Sequence, residues 1–240
     1  MRLDEDQRER VAGFQLTNDA GTYGALGQFS PRLEQGTLLS RAVGDALSLA
    51  LSGTLEESVF DGDIAAVSSA LDLRGEGALD LAGNSADGFE AQGVLRDPGL
   101  LGDAARFEGA RLSATIDGPF RDLTIDHRLT VARLDAADAV SAERLAQSGV
   151  ATWNGETLRL PLDVSVARVV TGNELVDPRL VDGTLQGLLS WSGTDLDADN
   201  ARVDFPGLAA QLTLRGDTGS GVYALAGPVN ARGFEIDALG

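Results

Sequence analysis

Residues 158–166 alternate without a fault: Leu158, Leu160, Leu162, Val164 and Val166 are separated by Arg159, Pro161, Asp163 and Ser165. A two-residue period means a β-strand with one apolar and one wet face, because successive side chains leave opposite sides of an extended chain. Pro161 has no N–H to give to a ladder, which predicts an edge, a bulge or an outward-facing position. The same rhythm runs through Leu47, Leu49 and Leu51; Leu71, Leu73, Leu79 and Leu81; and Leu112, Ala114 and Ile116. It continues in Leu123, Ile125, Leu129 and Val131, then in Leu208, Ala210, Leu212 and Leu214, with shorter runs at Val203/Phe205 and Tyr223/Leu225.

Between these runs lie Gly-, Asn- and Asp-rich stretches such as GNSADG, RDPG, WNGE, VDGT and RGDTGSG. Such residues supply positive φ and local side-chain hydrogen bonds, so each reads as a turn. Turns at this spacing predict about 15 to 20 strands and an all-β fold with few or no helices. Residues 138–149 (DAVSAERLAQSG) allow two or three helical turns, although the neighbouring pattern favours a strand; PGLLGDAARF, residues 98–107, is a second short-helix candidate. TIDGPFRDLTID (115–126) and ALAGPVNARGFEID (224–237) share a strand, a Gly-Pro step and a renewed alternation, so Gly-Pro is expected to turn the chain. Gly-Thr-Leu opens strand-like stretches at 36–38, 53–55 and 183–185. No fixed 20- to 50-residue period emerges, so the repeating unit is a strand and a turn of variable length.

The apolar positions are aliphatic, and aromatic residues make up 5% of the chain. A closed sandwich usually fills its core with large aromatic side chains. A sheet with one long aliphatic face fits this composition equally well, and such a face is covered by another sheet, a partner or lipid. A net charge of −18 repels phosphate backbones and excludes nucleic acid as a partner. All 19 basic residues are Arg, and there is no Cys for disulfides or thiolate ligands. The charged start, MRLDEDQRERVAG, is neither a signal peptide nor an anchor, and no apolar run is long enough to span a bilayer. The second Gly-Pro unit is cut at Gly240, just after Phe234 and Ile236 resume the alternation. Residues 1–240 therefore read as one continuous β segment of a longer protein.

Candidate chemistry is thin. His127, the single histidine, is in phase with Leu123, Ile125, Leu129 and Val131, whereas Asp126 and Arg128 point to the other side. A catalytic base needs an orienting carboxylate on its own side, so His127 reads as a packed residue. Asp217-Thr218-Gly219-Ser220 matches the tetrapeptide around the carboxylates of aspartic proteases, but a second copy is missing and Arg215-Gly216 replaces apolar residues. A hairpin turn accounts for it. Asp195, Asp197 and Asp199 have the first spacings of a calcium loop, yet Asn200 replaces the Gly and Pro206 the bidentate Glu that such a loop requires. No metal, no cofactor and no enzymatic activity are expected.

VATWNGETLRLPLDVSVARVVTG, DGTLQG, ARVDFPGLAAQLTLRGDTGSGVYALAG and the Gly-Pro closing each unit together resemble the AsmA-like and TamB-like bridge proteins of Gram-negative envelopes, the YdbH-like branch above all. The resemblance is best over residues 105–240. It implies an elongated, mostly antiparallel sheet folded into a taco-like open groove with an aliphatic interior. It also implies a periplasmic protein, held in the inner membrane by an anchor outside this chain, that carries phospholipid acyl chains toward the outer membrane. An outer-membrane partner protein and a TamB-like role in outer-membrane protein assembly or secretion belong to the same resemblance. A structural β-solenoid or adhesin passenger with a closed core is the rival. On the groove reading the lining is Leu112, Ile116, Leu123, Ile125, Leu129, Val131, Leu158, Leu160, Leu162, Val164, Val166, Leu208, Leu212 and Leu214.

Overall fold

The computed structural model describes residues 11–19, 21–30, 38–100, 105–136 and 140–231. The charged start, Gly36-Thr37, Asp138-Ala139, part of the 98–107 helix candidate, and Phe234 and Ile236 lie outside these residues. The strands are β1 (Val11–Asp19), β2 (Thr22–Phe29), β3 (Leu47–Glu56), β4 (Val59–Val67), β5 (Leu71–Asp80), β6 (Ser85–Leu95), β7 (Ala105–Glu108) and β8 (Arg111–Pro119). They continue as β9 (Leu123–Ala136), β10 (Val140–Trp153), β11 (Thr157–Val170), β12 (Val181–Ser192), β13 (Asp195–Phe205), β14 (Leu208–Asp217), β15 (Val222–Ala226) and β16 (Val229–Ala231). Among the described residues a single helix, α1 (Leu38–Val43), and a 3-10 turn at Asp177–Arg179 interrupt them.

All sixteen strands join one antiparallel sheet that does not close into a barrel. The order along the sheet is the order along the chain from β1 to β6 and from β8 to β15, while β7 pairs with β9 and β16 with β14. Among the described residues no large side chain is less than 2% exposed, as expected of a sheet without a second layer over most of its length. The one core cluster among the described residues is small: Ala70, Leu100, Phe107 and Ala110, packed by Leu95, Val131 and Leu134. No helix of the described residues is long and apolar enough to cross a membrane.

The 138–149 stretch resolves as strand from Val140 onward, within β10. The short-helix expectation for 98–107 fails where it is described: residues 98–100 form a turn, and Ala105–Glu108 is β7. β7 meets β9 in the same register as β8 does, Phe107 opposite Leu134 and Leu112 opposite Leu129, so β7 and β8 are one strand broken at Gly109-Ala110.

Two lines of irregular residues cross the sheet. The first begins with Gly53, Gly62 and Gly77, directly opposite one another on β3, β4 and β5. A β-carbon on Gly53 or Gly62 would overlap the backbone of the adjacent strand, so only glycine fits there. The line passes through register shifts beside Gly77 and at Asp87-Gly88, the unpaired stretch between β10 and β11, and further shifts beside Gly187 and before Ala201. It ends at Gly227, where a β-carbon would overlap Gln211. Glycine kinks and bulges are how sheets acquire curvature. Gly227-Pro228 therefore does not turn the chain as expected: β15 and β16 pair with the two ends of β14, and Gly-Pro kinks one edge strand between them. At the first copy the turn is Phe120-Arg121-Asp122, closed by Asp122 N–H donating to the Pro119 carbonyl at 2.7 Å.

The second line consists of Gly109, Arg144 and Asp182, all in the left-handed region (φ 64°, 50° and 52°), with Ala132 and Ala167 opposite them on the intervening strands. Before this line the apolar residues are Val131, Leu145 and Val166; beyond it they are Phe107, Leu134, Ala142 and Val169, in the opposite phase. The apolar phase thus shifts by one residue across this line, and Val131 before it and Leu134 beyond it pack against the same small core.

Candidate functional site

Directly opposed residues of an antiparallel pair share a face, so the registers decide which positions lie together. Leu158, Leu160 and Val164 of β11 face Trp191, Leu189 and Leu185 of β12, and Leu185 faces Val203, which faces Ala210. In the other direction Val166 faces Leu145 and then Val131, and Ile125 faces Ile116. The same tracing places all fourteen expected lining residues on one face. It extends that face through Leu73, Ile64 and Leu51 toward β2, and through Leu214 to Leu225 on β15. Leu112 is 37% exposed, Val131 packs against the small core, and the other lining residues are half-buried. The opposite face carries Asp63, Arg74, Glu90, Ser113, Asp126, Arg159, Asp163, Asp197 and Arg215.

Glycine in phase with the leucines completes the surface. The ring of Phe205 lies where a β-carbon of Gly183 would be, that of Tyr223 over Gly216 and that of Phe89 over Gly75. Aromatic side chains laid over strand glycines shield the backbone and stay close to the sheet. Sequence reasoning missed these pairs; the available signal was glycine recurring at the phase of the apolar residues.

Pro161 is not at an edge. It sits within β11, exposed on the polar face at a break in the β10–β11 ladder across which the register is unchanged, so the outward-facing alternative is the one realised. Without a proline N–H the two strands separate, and the side chain of Gln147 fills the gap. Its amide donates to the Pro161 carbonyl at 2.7 Å and its oxygen accepts the Asp163 N–H at 2.9 Å. Gln147 and His127 are 7% and 8% exposed, with His127 Nε2 3.4 Å from Gln147 Nε2 and Nδ1 3.4 Å from the Ile125 carbonyl. His127 has no carboxylate partner here and serves the packing of this join.

The other candidate motifs resolve into structure. Asp217 caps the β14–β15 turn, accepting from the Ser220 N–H and from the Thr194 hydroxyl at 2.8 Å. The hydrogen bonds from Ser220, chiefly its backbone N–H, and from Thr194 hold the Asp217 carboxyl down to about 2. A depressed carboxylate steadies the folded form above its unfolded pKa near 3.8, and that contribution is lost as pH falls through about 2. NMR titration of the Asp217 side chain is expected to give a midpoint near 2, moving toward 3.8 in Thr194→Val. Arg215 explains the run of acidic residues: its guanidinium is 3.2 Å from Asp197 and 2.6 Å from Asp199. No group of three or more potential metal ligands occurs among the described residues. A shallow depression of about 400 Å³ on the polar face is lined in part by Glu90, Ser113, Thr115, Asp126, His127 and Ser148.

Compared with protein-family models, curated protein sequences and solved structures, the chain matches none.

Proposed function

We propose that this chain is a section of a periplasmic bridge that carries phospholipid acyl chains along its apolar face, between an inner membrane to which it is tethered elsewhere and the outer membrane. The observation that supports this most is continuity: from β2 to β15 each strand places aliphatic, aromatic or glycine residues on the same face, opposite their counterparts on the next strand. Fourteen strands along the main path, about 4.8 Å apart, make a stripe roughly 60 Å long. An acyl chain leaving water for this stripe gains about 0.8 kcal/mol for each CH₂ it buries. Because adjacent rows have nearly the same chemistry, a step along the stripe exchanges one aliphatic contact for another, and the energy stays almost level. The acidic outer face keeps a long open sheet soluble.

A photoreactive amino acid at position 160 tests the reading. Illumination in the presence of phospholipid vesicles is expected to yield lipid adducts by mass spectrometry from position 160 and none from position 159, on the opposite face. Adducts from neither position, or equally from both, would overturn it.

A further inference from the structure

Across β3 to β14, the rows of the apolar face from Leu123 to Leu129 hold aliphatic, aromatic and glycine residues, with two exceptions among the described residues. They are His127 on β9 and Gln147 on β10, the latter opposite Leu129. The register of β8 against β9 is unbroken here, with Ile116 opposite Ile125, Ala114 opposite His127 and Leu112 opposite Leu129, so His127 stands on the same face as the leucines. Its ring is buried and leans toward Gly149 on β10, 3.9 Å from where a β-carbon of that glycine would be. The residues around it on this face carry no charge: Leu112, Ala114 and Ile116 on β8, Ile125 and Leu129 on its own strand, and Gln147, Gly149 and Ala151 on β10. Asp126 and Arg128 leave the other side of the sheet. β9 is the eighth of the fourteen strands on the main path, so this point lies midway along the aliphatic stripe.

Gln147 is held one way round. Its oxygen accepts the Asp163 N–H at 2.9 Å, and its nitrogen donates to the Pro161 carbonyl at 2.7 Å and the Ser148 carbonyl at 3.2 Å; exchanging the two ends of the amide would set donor against donor and acceptor against acceptor. The atom 3.4 Å from His127 Nε2 is therefore a donor, which makes Nε2 the unprotonated nitrogen and leaves Nδ1–H to donate to the Ile125 carbonyl at 3.4 Å. We infer that His127 is a proton-operated gate on the acyl-chain path. Neutral, it lies against the sheet beside Gln147 and leaves the face passable; protonated, it is expelled from that contact and stands over the stripe as a cation. This rests on the lipid reading above and names a regulation of that path. An imidazolium carries N–H at both nitrogens, so its Nε2–H meets the Gln147 amide donor to donor. The side chains around it offer no acceptor in exchange, and the Pro161 and Ser148 carbonyls are engaged by Gln147. A charge without a partner in an apolar setting is costly, so the ring turns to water on the open side of the sheet. The hydrated cation then occupies a row that an acyl chain moving from strand to strand has to cross.

Side-chain NMR tests the switch, and lipid loading tests its consequence. At about pH 8 the imidazole nitrogen shifts are expected to show Nε2 unprotonated, and acidification to about pH 5, across the range in which histidines change charge, should move the Gln147 amide resonances in step with the ring. In His127→Phe those resonances should stay still. An Nε2–H tautomer, or Gln147 resonances indifferent to the imidazole, would overturn the gate. For the consequence, the protein is loaded from vesicles of phosphatidylethanolamine and phosphatidylglycerol, re-isolated at each pH, and its phospholipid counted by mass spectrometry. The wild type is expected to hold roughly tenfold less lipid at the acid pH, the scale of one lost apolar contact, while His127→Phe keeps its lipid at both. An equal fall in His127→Phe, or no fall in the wild type, would refute the gate and leave the lipid reading standing. No lipid on either protein at either pH would overturn both.

Discussion

Replacing Leu160 and Val164 together by Asp is expected to strip the protein of co-purifying phospholipid while leaving the sheet folded. Both residues are half-buried on the aliphatic face, flanked by Leu189 and Leu185 on β12, with Gln147 beside Val164 on β10. No layer of the described residues covers the face, so in the free protein the new carboxylates remain hydrated and the cost to folding is limited to lost neighbour contacts. A bound acyl chain changes that balance: it would have to displace the water around both carboxylates and would forfeit two aliphatic contacts. With roughly 1.5 kcal/mol lost per apolar side chain, the two contacts alone weaken binding about a hundredfold, before any desolvation cost. The matched control is Arg159→Asp with Ser165→Asp, which places the same charges on the same strand facing the other way. Lipid counted per protein by mass spectrometry, with circular dichroism to verify the fold, decides it. Wild-type lipid content in the Leu160/Val164 variant would count against an acyl-chain path.

The second large effect concerns stability. Gln147→Leu removes the amide that bridges β10 and β11, leaving the Pro161 carbonyl and the Asp163 N–H without their partners in a join where Gln147 is 7% exposed. Each orphaned group costs about 1–3 kcal/mol, so the variant is expected to lose about 3 kcal/mol in urea unfolding. Pro161→Ala returns a donor to the ladder at the same point. In the wild-type background it should change little, because Gln147 already occupies the gap; in the Gln147→Leu background it should recover part of the loss by letting the two strands close. A Gln147→Leu protein as stable as the wild type would mean that water replaces the amide freely, and that the Gln is incidental to the join.

The alternating leucines were readable because a sheet with one wet and one dry face writes its period directly into the sequence. Leu158 to Val166 gave the strand, its inner face and the role of its polar residues, and the single aliphatic face of the whole molecule followed by extension. The change of phase between Val131 and Leu134, and between Val166 and Val169, is also written in the chain. Its meaning depends on Arg144 and Asp182, which adopt left-handed backbone that their residue types do not announce. Gly118-Pro119 and Gly227-Pro228 show a different limit. The dipeptide imposes the same local preferences in both places, but one precedes a hairpin turn and the other kinks an edge strand, because β14 offers a free edge long enough to pair on both sides of the kink. The bridge made by Gln147 was illegible for the same reason: Pro161 signals a missing donor, and only the register of β10 against β11 says which side chain stands opposite the gap.

The near-identity of chain order and sheet order bears on how the molecule is made. Almost every strand pairs with its neighbours in sequence, and most connections are short turns, so each addition closes only a small loop and costs little chain entropy. Contacts of this kind allow a growing edge to act as template for the next strand, in the manner of a one-dimensional array. A chain delivered from its N-terminus can therefore assemble like a zip, without waiting for distant residues. The newest edge is at each moment the place most exposed to pairing with a stranger.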